Sequence, residues 1–407
     1  MNRPPEEFDV VVVGAGVGGA AFALALASHY PLRVLLVERQ AGPGSINRGD
    51  SLLPAITAHL AAWGALDRCR AAGARVLSRM QVFHHQAGMI LDVALDRDGG
   101  PPYLVLPHPE IERVLAEAAQ ATGRVEVRYR RRATRLLEES GRVCGVALTD
   151  GRTTDPPVRV RLVVGADGAT SAVRRALEIP LRRRPYDHSY FGLAVERPAD
   201  YQDSMRIELH PAGGILVVPN PGGDRVGLGV LVHQRDEAVF RSGSAEAKLA
   251  AVARRSPLLA GCRGYFQGAH LYKLARAHAP RYVARGAALL GDAIHVTNPT
   301  AGQGMTMAVE DAAALARHLG PPLAGGKSGP ALDVPLQAYE RERRPANAAL
   351  IRWSHWISRF YALDGPVGDA LRRRVFAFGS SSLGRIIQRQ LWARVASRAA
   401  REVSHHG

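Results

Sequence analysis

The chain has 407 residues, of which 46% are hydrophobic and 22% are charged. This length and composition exclude a small disulfide-stabilised scaffold and a disordered chain, and predict a soluble globule of two domains or one large α/β domain with insertions. The net charge of +16 would suit nucleic acid or an acidic membrane, but only three of the 53 basic residues are lysine. Codon bias in a GC-rich genome is the simpler cause, so we predict no nucleic-acid partner.

The cysteines Cys69, Cys144 and Cys262 lie far apart without a C-x-x-C pair. This spacing predicts neither a disulfide framework nor a zinc site, and we expect no metal. The first residues lack the basic-then-apolar order of a secretory signal. Glycines interrupt the apolar run 10–27, which predicts a strand and a helix instead of a membrane span. A cytoplasmic protein is expected.

The first elements form a βαβ unit. Phe8 to Val13 is an apolar run typical of a buried parallel strand, Gly16 to His29 indicates a helix, and Arg33 to Val37 indicates a second strand that ends at Glu38.

Further elements follow in chain order. The patterns predict a helix over 54–69, two strands within 75–93, a helix over 109–122, a strand and a hairpin over 125–164, a β-rich stretch over 186–273, a strand over 287–290, a helix over 302–319, a Pro/Gly-rich linker over 320–335 and then basic helices.

A glycine-rich segment joins the first strand to the first helix. Gly14, Gly16 and Gly19 form G-x-G-x-x-G, and Glu38 lies 24 residues after Gly14. In this context the motif predicts a dinucleotide site: Gly14 permits the tight turn, Gly16 lets the backbone approach a pyrophosphate, and Gly19 lets the helix pack on the strand. Glu38 can accept hydrogen bonds from ribose hydroxyls, and we place the adjacent Arg39 in the same site.

Two later motifs also end a strand and open a helix. One runs from Gly165 through Asp167 and Gly168, and the other runs from Gly291 to Thr306. With all three motifs in order, the chain resembles the class A flavoprotein monooxygenases, the family typified by para-hydroxybenzoate hydroxylase, over about residues 8 to 350.

The resemblance implies FAD as cofactor and NADH or NADPH as transient reductant. It also implies that Asp167 and Gly168 serve both cofactors, that Asp292 holds the ribityl chain, and that the backbone of residues 302–306 approaches the isoalloxazine ring. Arg48 and His295 are the predicted catalytic residues. The predicted cofactor-binding residues are Gly14, Gly16, Gly19, Glu38, Arg39, Arg48, Asp167, Gly168, Gly291, Asp292, Pro299, Gly302, Gln303, Gly304, Met305 and Thr306.

The predicted fold is α/β, with a Rossmann-like FAD-binding domain, an inserted β-sheet substrate domain and a C-terminal helical region. The FAD-binding domain comprises residues 1–72, 95–185 and 276–330. The substrate domain comprises 73–94 and 186–275, and the basic helical region comprises 331–407.

The resemblance implies a monooxygenase that uses O2, through a flavin C4a-hydroperoxide, to hydroxylate a phenolic or polycyclic aromatic small molecule. Thr306 replaces the family's more usual asparagine, so alkene epoxidation stays open. A reductase or dehydrogenase without oxygen activation, and a basic binding protein on a flavoprotein fold, are further alternatives. His188, Tyr190 and His210 are weak candidates for deprotonating a phenol.

The end of the chain is strongly basic. Apolar residues recur at Leu383, Ile386, Ile387, Leu391 and Val395, which indicates an amphipathic helix. Packing on the protein itself is favoured over peripheral contact with an anionic membrane. The sequence leaves the oligomeric state open.

Overall fold

A computed structural model of the chain describes residues 8–44, 51–95, 99–220 and 222–381. Elements are numbered along the chain. The strands within these residues are β1 (Val10–Val13), β2 (Val34–Val37), β3 (Ser51–Leu52), β4 (Arg75–Val76), β5 (Arg79–His84), β6 (Gly88–Ala94), β7 (Leu104–Val105), β8 (Val125–Arg128), β9 (Arg132–Glu139), β10 (Arg142–Thr149), β11 (Val158–Arg159), β12 (Leu162–Gly165), β13 (Arg184–Glu196), β14 (Met205–Leu209), β15 (Ile215–Pro219), β16 (Arg225–His233), β17 (Gly264–His278), β18 (Val283–Ala284), β19 (Ala287–Leu289) and β20 (His295–Val296).

The α-helices of the same residues are α1 (Val17–His29), α2 (Pro54–Ala62), α3 (Leu66–Ala71), α4 (His108–Ala121), α5 (Ala172–Ala176), α6 (Glu237–Ser242), α7 (Ala245–Ala253), α8 (Gln303–Ala324), α9 (Asp333–Tyr361) and α10 (Gly365–Ser380). None of the described helices is both long and apolar enough to cross a membrane.

The first large sheet confirms the predicted βαβ unit. Its six strands lie in the order β18-β19-β12-β1-β2-β8, and all neighbours pair in parallel except β18 and β19. The four residues of β1 are completely or almost completely buried, as expected for a strand covered by helices on both faces. Because parallel strands end at the same edge, the loops that follow β1, β2, β12 and β19 meet there.

The second large sheet lies beside the first and is mostly antiparallel. Its order is β20-β17-β13-β16-β15-β14-β5-β6. Strands β5 and β6 come from the early part of the chain, whereas β13 to β17 come from residues 184–278. The structure therefore matches the predicted α/β class with a parallel sheet, further sheets and C-terminal helices, while the exact domain boundaries stay a prediction.

The single helix predicted over 54–69 is wrong, because the chain forms α2 and α3 with a break between them. Gly64 has φ +69°, its N–H donates to the Ala61 carbonyl, and the Ala65 N–H donates to the Leu60 carbonyl. This pair of hydrogen bonds with a left-handed glycine is the Schellman helix stop.

The linker predicted over 320–335 is also wrong. Helix α8 continues through Pro321 and Pro322 to Ala324, and α9 begins at Asp333. The Gly325 N–H donates to the Pro321 carbonyl, and Leu323 is fully buried. Packing of this last turn therefore outweighs the two prolines. The predicted tail helix falls within residues 382–407, which lie outside the described residues.

Candidate active site

The loop between β1 and α1 has the shape that its glycines predict. Gly14 has φ +105°, and a Cβ there would lie 2.4 Å from the Ala166 carbonyl oxygen. A Cβ at Gly19 would lie 1.9 Å from the Gly14 oxygen, whereas one at Gly16 would meet only the Glu112 carboxylate, at 3.6 Å. Gly14 and Gly19 are therefore needed for the fold itself, and Gly16 borders open space.

The start of α1 and the end of β2 face this space. Gly16 precedes α1, which has no side-chain cap and no acidic residue in its first turn. Its free N–H groups and helix dipole favour an anion. Glu38 accepts hydrogen bonds from the Ala15 N–H at 3.0 Å and the Gln40 N–H at 2.9 Å. Arg39 is exposed, and Arg48 lies outside the described residues.

Two residues of α4 at this loop were missed by the sequence reasoning. Glu112 accepts a hydrogen bond from the Gly44 N–H at 2.9 Å, and its other oxygen lies 3.3 Å from His108 Nε2. His108 Nδ1 is buried without a hydrogen-bond partner among the described residues. No local pattern marks these residues, because they reach the loop only through the packing of α4.

The motif after β12 is held together by its own carboxylate. Asp167 accepts hydrogen bonds from the Ser171 hydroxyl, the Ala172 N–H at 2.6 Å and the Val173 N–H at 3.2 Å. Gly168 has φ +78° with nothing within 4 Å of an added Cβ. The geometry fits a carboxylate that shapes the turn and the start of α5.

The motif after β19 leads into α8. Asp292 is exposed in the turn Gly291–Ala293, and Gly302 adopts a left-handed conformation as N-cap of α8, which has no side-chain cap. An added Cβ at Gly304 would meet only Thr297, at 3.9 Å. The helix N-terminus is therefore open for a ligand.

The other residues of this motif differ in the contacts that they make. Pro299 begins a 3-10 turn, Gln303 donates to the Ala301 carbonyl at 3.1 Å, and Met305 packs against the core. The hydroxyls of Thr297 and Thr306 are buried without a hydrogen-bond partner among the described residues. Such orphaned groups are expected where a polar ligand binds.

His295 lies behind this loop. Its side chain is fully buried, and its Nε2 lies 2.7 Å from Asp311, which is also fully buried. Asp311 accepts further hydrogen bonds from Arg343 at 2.9 Å and from Asn347 at 2.8 Å. Burial raises the pKa of Asp311, but His295 and Arg343 outweigh it, so the pKa is lowered and the carboxylate stays charged. This geometry fits a residue that positions the loop, and the predicted catalytic role of His295 remains untested.

The network extends from His295 to the neighbouring strand. Asn347 donates to the Tyr282 hydroxyl at 3.2 Å, and His278 Nε2 lies 2.7 Å from the same hydroxyl. Burial and the nearby His295 lower the pKa of His278 to about 4. His278 is therefore neutral at pH 7, whereas Arg343 is paired with the carboxylates of Asp311 and Glu310.

His188 connects the second sheet to the α8 loop. Its Nε2 lies 2.9 Å from the Ser358 hydroxyl and 3.5 Å from the Asn298 amide, and its Nδ1 lies 3.0 Å from Asp187. The ring is 3% exposed, and burial lowers its pKa. Since both nitrogens have partners, the ring is better placed to hold the loop than to receive a proton from substrate.

Tyr190 lies on the same face of β13. Side chains alternate along a strand, and Phe191 and Leu193 pack in the cluster beneath α6 and α7, so Tyr190 and Gly192 face the other way. The Tyr190 ring lies over Gly229, where an added Cβ would be 1.7 Å from the hydroxyl. His210 lies elsewhere, with its ring against His85.

Parallel strands with a G-x-G-x-x-G loop at their carboxyl edge define a dinucleotide-binding fold. Residues 7–354 match the family model described as FAD binding domain. Ubiquinone hydroxylase UbiL of Rhodospirillum rubrum is 30% identical over 90% of this chain and 84% of its own length. The 6-methylpretetramide 4-monooxygenase of Streptomyces rimosus is 30% identical over 91% of this chain and 89% of its own.

Among solved structures, PqsL, a probable FAD-dependent monooxygenase from Pseudomonas aeruginosa, is similar with a TM-score of 0.77. It is 27% identical, and the match covers 91% of this chain and 99% of PqsL. The chain belongs to the class A flavoprotein monooxygenase family and is an FAD-dependent oxidoreductase.

Proposed function

We propose that this monooxygenase hydroxylates a planar aromatic small molecule, phenolic or polycyclic, with NADH or NADPH and O2. The observation that carries the substrate class is the aromatic ring of Tyr190 on β13, which lies over Gly229 of the neighbouring strand β16. Tyr272, opposite Tyr190 on β17, adds a second aromatic ring. Aromatic faces suit a flat ring system. Relatives named as a ubiquinone hydroxylase and a 6-methylpretetramide monooxygenase support this class.

The residues present fit FAD. Gly16 and the uncapped start of α1 suit the pyrophosphate, and Glu38 suits the adenosine ribose. Asp292, exposed at the edge of the sheet, would hold the ribityl hydroxyls. The backbone from Gly302 to Thr306 would contact the isoalloxazine ring, beside the orphaned Thr306 hydroxyl.

When bound, FAD supplies hydride acceptance from NAD(P)H and activation of O2 for transfer of one oxygen atom. The residues of the chain position the cofactor and provide partial charges beside its ring. The N–H groups at the start of α8 favour negative charge on the adjacent ring edge. Asp311 fixes His295, and His188 fixes Asn298, so both sides of the α8 loop are held by buried contacts. These residues act as positioning residues.

A substrate panel tests the proposal. Phenols, polycyclic aromatics and alkenes are screened for acceleration of NAD(P)H oxidation, and products are weighed for one added oxygen. We expect stimulation and oxygenation by aromatic compounds. Tyr190→Ala should raise KM while Tyr190→Phe, which keeps the ring, should change it little. Oxygenated alkenes alone would overturn the aromatic class in favour of epoxidation, and oxidation without any oxygenated product would support the reductase alternative.

The C-terminal tail has two proposed roles that one deletion separates. The tail lies outside the described residues, and we infer that it covers an apolar surface of the protein in a reducing cytoplasm. Deleting residues 383–407 should then lower thermal stability or solubility, because an apolar surface is uncovered. Unchanged stability with loss of binding to anionic vesicles would instead support peripheral membrane contact.

A further inference from the structure

A second polar cluster lies where α10 packs on the eight-stranded sheet. His84 ends β5, His85 follows it, and Asp369 lies in the first turns of α10. The Nε2 atoms of both histidines lie 2.9 Å from Oδ2 of Asp369. His84 is 2% exposed and Asp369 7%. We call these three residues the His-His-Asp cluster.

The cluster is separate from the proposed flavin site. In the sheet, β5 lies four strand positions from β13, which carries His188 and Tyr190. At the usual spacing of neighbouring strands this is about 19 Å. The side chains of the His-His-Asp cluster therefore take no part in the proposed function of the α8 loop.

The geometry of the cluster suits a metal ion. One atom from each residue can serve as a ligand, and these atoms all lie within 4.8 Å of one another. Zinc ligands at about 2.0 to 2.2 Å in a tetrahedron lie roughly 3.3 to 3.5 Å apart, so small side-chain movements admit an ion. A cavity of about 300 Å³, bordered by Gln86 and Pro211 as well as the cluster, leaves room for water as a further ligand.

Neighbouring groups fix the ligands. Arg372 lies 3.3 Å from Oδ1 of Asp369, which leaves Oδ2 directed at the histidines, as outer partners do for metal-binding carboxylates. His84 Nδ1 accepts a hydrogen bond from the Gln86 N–H at 3.2 Å, so His84 carries its proton on Nε2. Binding of an ion at Nε2 moves that proton to Nδ1, and the Gln86 amide, in an exposed turn, rotates to water.

We propose that the His-His-Asp cluster binds one transition-metal ion of the Zn²⁺, Cu²⁺ or Ni²⁺ type. Two imidazoles and a single carboxylate favour these ions, whereas Mg²⁺ and Ca²⁺ require mostly oxygen ligands. The positive charges of Arg372 and Arg373 beside the cluster further oppose ions that bind mainly by charge. The bound ion ties α10 to β5.

Calorimetric titration of the FAD-loaded full chain with Zn²⁺ tests this proposal. We expect one Zn²⁺ per chain and no competition from Mg²⁺. His85→Ala and Asp369→Asn should each weaken binding by at least about tenfold, since loss of an outer partner alone costs that much. Zn²⁺ should raise the Tm of the parent but not of His85→Ala.

The other adjacent histidine pair, His405 and His406, requires a matched control. A His405→Ala/His406→Ala variant should keep the Zn²⁺ affinity of the parent. Loss of binding only in this control variant, or unchanged affinity in His85→Ala, would overturn the proposal. If Asp369→Asn does not fold, His85→Ala decides, because this ring is partly exposed, and FAD content and Tm report its folding.

Discussion

In the parallel sheet, the proposed functional residues lie mainly in the loops that follow β1, β2, β12 and β19, whereas in the eight-stranded sheet they come from strands far apart in the chain. The loop after β1 is determined by local glycines, since a Cβ at Gly19 would collide with Gly14. The position of Tyr190 over Gly229 instead depends on the register of β13 and β16, which places Gly229 opposite Gly192. The proposed cofactor-binding loops therefore depend mainly on local sequence, whereas the proposed substrate surface depends on long-range strand pairing.

The largest expected effect separates two glycines of the first loop. Gly16→Val should fold normally but lose FAD, because its side chain fits the empty space that the pyrophosphate needs. Gly19→Val should fail to fold, because backbone atoms occupy the position of its Cβ. Flavin absorbance and circular dichroism measure the two outcomes.

Ser28→Val, at the exposed end of the same helix, is the control and should retain FAD. Normal flavin content in a folded Gly16→Val variant would remove this loop from the cofactor site.

The second effect concerns stability at the α8 loop. Asp311→Asn removes the fully buried one of the two carboxylates that pair with Arg343, the other being Glu310, and breaking a buried ion pair costs about 3 to 5 kcal/mol. Chemical denaturation measures the change. Asp67→Asn, in an exposed pair with Arg70, is the control and should change stability by less than about 1 kcal/mol. Equal effects in the two variants would contradict a supporting role for Asp311.

The smallest of these effects is at Asp292. Asp292→Ala should weaken FAD binding by about 1 to 3 kcal/mol, the cost of an unpaired buried hydroxyl on the ligand. Fluorescence titration of the apoprotein with FAD measures the Kd. Asp224→Ala, an exposed carboxylate beside β16, should leave it unchanged. The same Kd in both variants would exclude Asp292 from the site.

The same comparison explains what the sequence could predict. The first βαβ unit matches the prediction closely, because its local apolar runs end at turn residues. The stop at Gly64 was missed, since its left-handed conformation has no neighbouring sequence signal beyond the glycine itself. The sequence predicts His295 as catalytic without its partner Asp311, because this contact with the next helix becomes evident only in the packed structure.

Longer-range features were harder to predict. Glu112 lies beside Gly16 of the first loop and also accepts a hydrogen bond from Gly44, 68 residues away in the chain. The strand β17 was only partly recognised, because its exposed and half-buried residues lack clear alternation before Leu274. Which tyrosine lies over which glycine depends on strand register, which the composition of one strand does not determine.

Anaerobic stopped-flow reduction followed by mixing with ¹⁸O₂ tests most directly the central claim that the chain is a monooxygenase, and it also tests whether bound substrate acts as a gate that accelerates flavin reduction. We expect slow flavin reduction by NAD(P)H alone, much faster reduction with an aromatic substrate, and one labelled oxygen in the product. Arg48→Ala should reduce the acceleration by substrate if Arg48 contributes to the gate, and unchanged kinetics would exclude that role. Reduction at the same rate without substrate, together with no labelled product, would contradict the account.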